Sequence, residues 1–103
     1  MPESPVISLD SQAPLESPWG AIKWLMNNDL DGDAEQTFGI VFIGPGQKNP
    51  RHFHPNCEEL LHVLSGSCTH SLGDQTHPMG SGDLIRIPAG VVHHAENEGW
   101  EPL

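Results

Sequence analysis

The chain has 103 residues, enough for one domain with a modest core, and a formal charge of −10 that leaves only four basic residues, Lys23, Lys48, Arg51 and Arg86. So acidic a chain repels phosphate backbones and anionic membrane surfaces, which argues against nucleic-acid and membrane partners. No apolar run reaches the roughly eighteen residues of a membrane span. The first residues lack the basic start and apolar centre of a signal peptide, so a cytoplasmic location is the expectation. Cys57 and Cys68 are too few for a disulfide framework.

Residues 1–18 carry Pro2, Pro5, Pro14 and Pro18, which block helix and point to an extended arm, with Val6–Leu9 as a short strand. Trp19–Met26 is the first firm strand, with Ala21, Lys23 and Leu25 on one face and Ile22, Trp24 and Met26 on the other. Asn27–Asp33 opens like a calcium loop. The place of the closing carboxylate is taken by Phe38, however, and no helices flank it, so it reads as an acidic hairpin loop. Thr37–Ile43 is an apolar strand ended by Gly44-Pro45-Gly46. Two strands joined through Pro55-Asn56-Cys57 follow, up to a tight turn at Gly66. Ser67–Leu72 and Thr76–Met79 form a hairpin about Gly73-Asp74, Leu84–Ile87 is a strand, and Val91–Glu96 follows a corner at Pro88-Ala89-Gly90. Strands this short, separated by Gly and Pro turns, predict an all-β barrel or sandwich.

In extended chain, residues two apart share a face, so His52 and His54 place two imidazoles side by side. Glu59 opens the next strand. If that strand lies antiparallel beside the first, its carboxylate reaches the same place, and His93 supplies a third imidazole. Three imidazoles and a carboxylate suit one divalent transition ion, Mn, Fe, Ni, Cu, Co or Zn. Parity turns His62 and His94 away from that face, and His70 and His77, in or beside the hairpin, read as surface or interface residues. Leu61 and Val63 face inward. Either Ile85 and Ile87 or Leu84 and Arg86 face them, and an inward Arg86 would hold a substrate carboxylate. Glu58 is the spare acid or base nearest the mouth. Cys57 reads as a turn residue, with a redox or ligand role as the rival, and Cys68 as a strand residue.

The stretch from Gly46 to Asn97 resembles the two motifs of the cupin family. Gly46, His52, His54, Glu59 and Gly66 match G-x5-H-x-H-x3,4-E-x6-G. Gly82, Pro88, Gly90, His93 and Asn97 match G-x5-P-x-G-x2-H-x3-N. The resemblance implies a small jelly-roll barrel, the double-stranded β-helix, as one domain over residues 1–103, with a metal inside. It implies no single reaction. The expected function is a metal-dependent enzyme acting on a small organic molecule, of dioxygenase, isomerase or lyase type. A metal-containing sensor or binding module without turnover is the alternative, and a metal that only stiffens the barrel is a third reading. Cupins continue past the second motif through a further strand, whereas residues 98–102 read as the turn leading into one. The barrel is therefore expected to lack its last strand, and its open edge to be covered in a homodimer that buries the N-terminal arm or a facing sheet, with Trp24 in or near the contact; the alternative is a longer natural tail that closes the barrel.

Overall fold

A computed structural model describes residues 4–103; Pro2 of the expected arm lies outside them. The chain divides into two compact units, one ending at Phe42 and one of Ile43–Leu103.

In the first unit, strands β1 (Leu15–Ser17), β2 (Gly20–Met26) and β3 (Phe38–Ile43) form a sheet in that order. β1 and β2 are an antiparallel hairpin, with Leu15 opposite Ile22 and Ser17 opposite Gly20, turning through Pro18 and Trp19. The end of the expected arm is thus a strand. Val6–Leu9 is not: Leu9–Ser11 forms a 3-10 turn in which the Ser11 N–H and hydroxyl both donate to the Ser8 carbonyl. Serine hydroxyls offer the backbone such local partners in competition with a strand ladder. Every residue of β2 is half-buried, so its alternation does not sort into a core face and a solvent face. Trp24 lies across Gly39, where a Cβ would sit 2.7 Å from the indole ring. The acidic loop is shaped by Asn27, whose Oδ1 accepts the N–H groups of Asp29 and Leu30. Phe38, Val41 and Phe42 of β3 are exposed.

The second unit holds β4 (Glu59–His62), β5 (Ser67–Leu72), β6 (Gln75–Gly80), β7 (Leu84–Ile87) and β8 (His93–Glu96). β4 pairs antiparallel with β7, and β5 lies between β6 and β8, antiparallel to both. Residues opposite one another across a ladder share a face. Glu59 and Leu61 therefore stand with Ile87 and Ile85. On the other sheet Cys68, His70 and Leu72 stand with Met79, His77, Ala95 and His93. Ile43, Val63, Cys68, Met79, Ile87 and Ala95 are the buried apolar residues. Gly66 turns β4 into β5 at φ +84°, and a Cβ there would meet the Pro102 carbonyl oxygen at 2.7 Å, so the turn requires glycine twice over. Gly82 and Gly90, both positions of the second motif, also have positive φ.

Beyond β8, Asn97 is buried and Trp100 is 86% exposed. Leu103 then exchanges both backbone hydrogen bonds with Ile43, at 2.9 and 3.0 Å. Residues 98–102 thus form the turn expected after the second motif. No helix among the described residues is long and apolar enough to cross a membrane.

Candidate metal centre

His52, His54, Glu59 and His93 converge, with one ligand atom from each lying within 4.8 Å of the others. They reach the same place by a route that differs from the expected one. His52 and His54 do not lie on a regular strand, and β4 has β7 as its neighbour instead. Pro50 and Pro55 flank the pair, and each removes a backbone donor that a ladder would need. The segment meets β8 through two isolated bridges instead, Lys48 with Glu96 and His52 with His93; at the second the His52 N–H donates to the His93 carbonyl at 3.0 Å and the His93 N–H donates to the His52 carbonyl at 2.8 Å. The Gly90 N–H donates to the His54 carbonyl at 2.8 Å, tying the corner after β7 to the second histidine.

The imidazoles are oriented from behind. His52 Nδ1 lies 2.7 Å from the Pro50 carbonyl and His93 Nδ1 lies 2.9 Å from the Val91 carbonyl. A carbonyl can only accept, so each Nδ1 carries the proton and each Nε2 presents a lone pair, the form a metal ligand needs. His54 Nε2 and His93 Nε2 are buried without a hydrogen-bond partner. Glu59 Oε1 is 3.0 Å from the first and 3.8 Å from the second, and the closer contact is not aligned as a hydrogen bond. Bonds of about 2.0–2.2 Å to a first-row ion put neighbouring donors about 3 Å apart and opposite ones about 4.2 Å apart. The observed span of 4.8 Å needs only about half an ångström of contraction, so the residues fit a single divalent ion. The His93 side chain is 2% exposed, against 41% for His54 and 32% for Glu59, so the cluster is closed behind His93 and open past the other two.

β7 settles the register left open by the sequence. Ile85 and Ile87 face inward with Glu59 and Leu61, whereas Leu84 and Arg86 face outward. Arg86 Nε donates to Glu58 Oε2 at 2.7 Å, with both side chains more than half exposed. Of the two registers left open, the one that would have let an inward Arg86 hold a substrate carboxylate is thus not the one adopted. Val63 is buried and Leu61 half-buried, as expected of inward positions. Cys57 is exposed and Cys68 buried.

His70 overturns its expected surface position. It is fully buried, with its ring nearly parallel to that of His93 at a centroid distance of 6.0 Å. Burial and the neighbouring histidines, His93 foremost, push its pKa down to about 4. Burial also lowers that of His94, helped by the charges of Arg51 and Lys48. The signal for His70 was present in the sequence, since alternation along β5 puts it on the face of Cys68 and Leu72.

Comparisons with known proteins bear on the family and the fold. A family model described as the cupin domain matches residues 39–103. Protein SchB of Streptomyces halstedii is 28% identical over 94 residues, which cover 91% of this chain and 68% of that protein. Among solved structures, the formate complex of Lactobacillus farciminis oxalate decarboxylase superposes with a TM-score of 0.83 at 26% identity, over 91% of this chain and 29% of that one. A Bacillus subtilis oxalate decarboxylase studied for its Mn(II) centres gives 0.83 at 27% identity, over 92% and 26%. The chain thus spans under a third of the length of these decarboxylases. It has the all-β jelly-roll fold they share, and it belongs to the cupin family.

Proposed function

We propose that the chain is a metal-dependent enzyme acting on a small organic molecule that carries oxygen donors, by lyase, isomerase or dioxygenase chemistry. The observation that carries this reading is the convergence of two buried, unpartnered imidazole nitrogens, His54 Nε2 and His93 Nε2, with the Glu59 carboxylate and His52. A divalent ion held there supplies Lewis acidity toward a carboxylate, carbonyl or enolate oxygen. The chain's own part is to orient the ion's ligands through the Pro50 and Val91 carbonyls, and to keep the rear of the site dry behind His93 and Ile87. Manganese is among the candidate ions, and the likeness to oxalate decarboxylases favours a small carboxylic acid.

A second reading, a metal-containing binding module without turnover, is favoured by one feature. Among the described residues Glu59 is the only carboxylate in the cluster, and Glu58, the expected spare acid or base, is engaged with the outward-facing Arg86. We also propose a homodimer. The exposed Phe38, Val41 and Phe42 on β3, together with the half-buried Trp24, offer it an apolar contact.

Protein purified without chelator should contain a first-row metal by elemental analysis, and His54→Ala or His93→Ala should remove most of it. The loaded protein should deplete one member of a panel of small carboxylic acids incubated in air. Unchanged metal content in the His52→Ala, His93→Ala double variant would overturn the site. Full metal with no depletion across the panel would favour the binding module.

A further inference from the structure

The segment that carries His52 and His54 runs antiparallel to β8 but changes register on the way. Lys48 stands opposite Glu96, and His52 stands opposite His93. Between these two pairs lie Asn49, Pro50 and Arg51 on one side but only Ala95 and His94 on the other. Counting on in step from Lys48 and Glu96 would set Arg51, not His52, opposite His93. Residues opposite one another share a face, and a slip of one residue turns a whole segment over. Without the extra residue Arg51 and Phe53 would point inward with His93, and both histidines would point outward. The ladder therefore contains a bulge, and the bulge decides that the interior receives imidazoles.

Asn49 stands where the register changes. Its N–H donates to the Ala95 carbonyl at 3.3 Å, as at an ordinary paired position. The return bond differs: the Ala95 N–H donates at 2.7 Å to Oδ1 of the Asn49 side chain instead of to its backbone carbonyl. The side-chain amide thus stands in for the main chain. Ala95 is 2% exposed, so its N–H has no recourse to solvent. Pro50, next along, has no N–H to leave unpaired. Its carbonyl accepts the Nδ1–H of His52 at 2.7 Å. One bulge therefore turns His52 inward and also fixes which of its nitrogens faces the cluster. We propose that Asn49 is a positioning residue of the metal centre: its side-chain oxygen closes the ladder across the bulge and so holds His52 and His54 on the inner face. It contributes no atom to the four-residue cluster. Its effect on the ion rests on reading the cluster as a metal site, whereas its hold on the ladder does not.

The test has one arm without metal and one with it. In metal-free protein, hydrogen exchange followed by NMR should show the Ala95 and His93 N–H groups exchanging about tenfold faster in Asn49→Ala than in wild type. The Asn97 N–H, which donates to the Gln47 carbonyl at 2.9 Å on the other side of the bulge, should change by less, which separates a local opening from a general loss of stability. Asn49→Asp keeps the acceptor and should restore both rates. In the second arm, Co(II) affinity is measured by competition with a chelator. Failure of the wild type to bind Co(II) would overturn the metal reading and leave Asn49 to be judged by the exchange rates. Given binding, Asn49→Ala should hold Co(II) about 10–100-fold more weakly, the usual effect of losing a partner behind a ligand. Asn49→Asp should bind it within about threefold of wild type. Asn97→Ala controls for lost stability alone, and should bind Co(II) as the wild type does. Asn49→Ser, whose oxygen is one bond closer to the main chain, replaces the alanine variant if that one does not fold, with the same direction of change expected. Wild-type exchange at Ala95 or wild-type Co(II) affinity in Asn49→Ala would overturn the proposal. An equal loss of Co(II) from Asn97→Ala would overturn it too.

Discussion

Asn97 contributes no donor to the metal cluster, yet its side chain is fully used. Nδ2 donates to the carbonyls of Ile43 and Glu101 at 3.0 and 2.7 Å, and Oδ1 accepts the Gly99 N–H at 3.0 Å. Asn97→Ala should therefore cost about 2–3 kcal/mol, because it removes three hydrogen bonds made by a buried side chain and leaves a cavity in its place, and lower the melting temperature by about 10–20 °C while leaving metal stoichiometry alone. Thermal circular dichroism with elemental analysis reads both. The spacing of Asn97 from His93 was legible in the sequence. Its work was not, since one of its partners lies 54 residues away. His70 carries a second expectation. Unfolded, its pKa returns to about 6.5, so between about 6.5 and 4 the unfolded chain binds a proton that the folded chain refuses. Stability from this ring is complete above that window and drains away as pH falls through it. Urea titrations of metal-free protein at pH 7 and 4.5 should show wild type losing about 2–3 kcal/mol more than His70→Leu. Equal losses would show that the ring titrates normally.

At the scale of the strand, β7 shows what alternation decides and what it leaves open. The sequence located its four residues but not which pair faces the core, because Leu84 and Ile85 are equally apolar. Pairing with β4 makes the choice, by setting Ile87 opposite Glu59. Ile87 is 1% exposed, so Ile87→Ala should cost about 3 kcal/mol through lost burial and the cavity left behind. Glu58→Ala and Arg86→Ala break an ion pair open to solvent, and each should change stability by less than about 1 kcal/mol. Denaturant titration of the three variants checks the order; comparable losses would mean that the outward pair is coupled to the core. The position of β4 itself was legible, but its neighbour was not. The segment holding His52 and His54 is kept out of a regular ladder by its prolines, and two isolated bridges to β8, at Glu96 and at His93, aim it instead.

For the whole molecule, the motif spacing made the fold and the four-residue cluster legible, because it fixes backbone turns as well as ligands. The division at Phe42 was not legible, since it depends on which strands contact one another. Assembly is the expectation that belongs here. Light scattering at low micromolar concentration should give twice the chain mass of 11.2 kDa if the exposed β3 residues are shared between copies. A monomer at that concentration would rule the dimer out. The placement of the tryptophans has a spectroscopic consequence. Trp19 and Trp24 are half-buried in the unit that ends at Phe42, while Trp100 stands in water in the other. Intrinsic fluorescence therefore sorts by unit: Trp100 emits at the red edge and is open to acrylamide, and the other two emit further to the blue. Denaturation followed at two wavelengths would report the loosening of each unit separately, with no label attached.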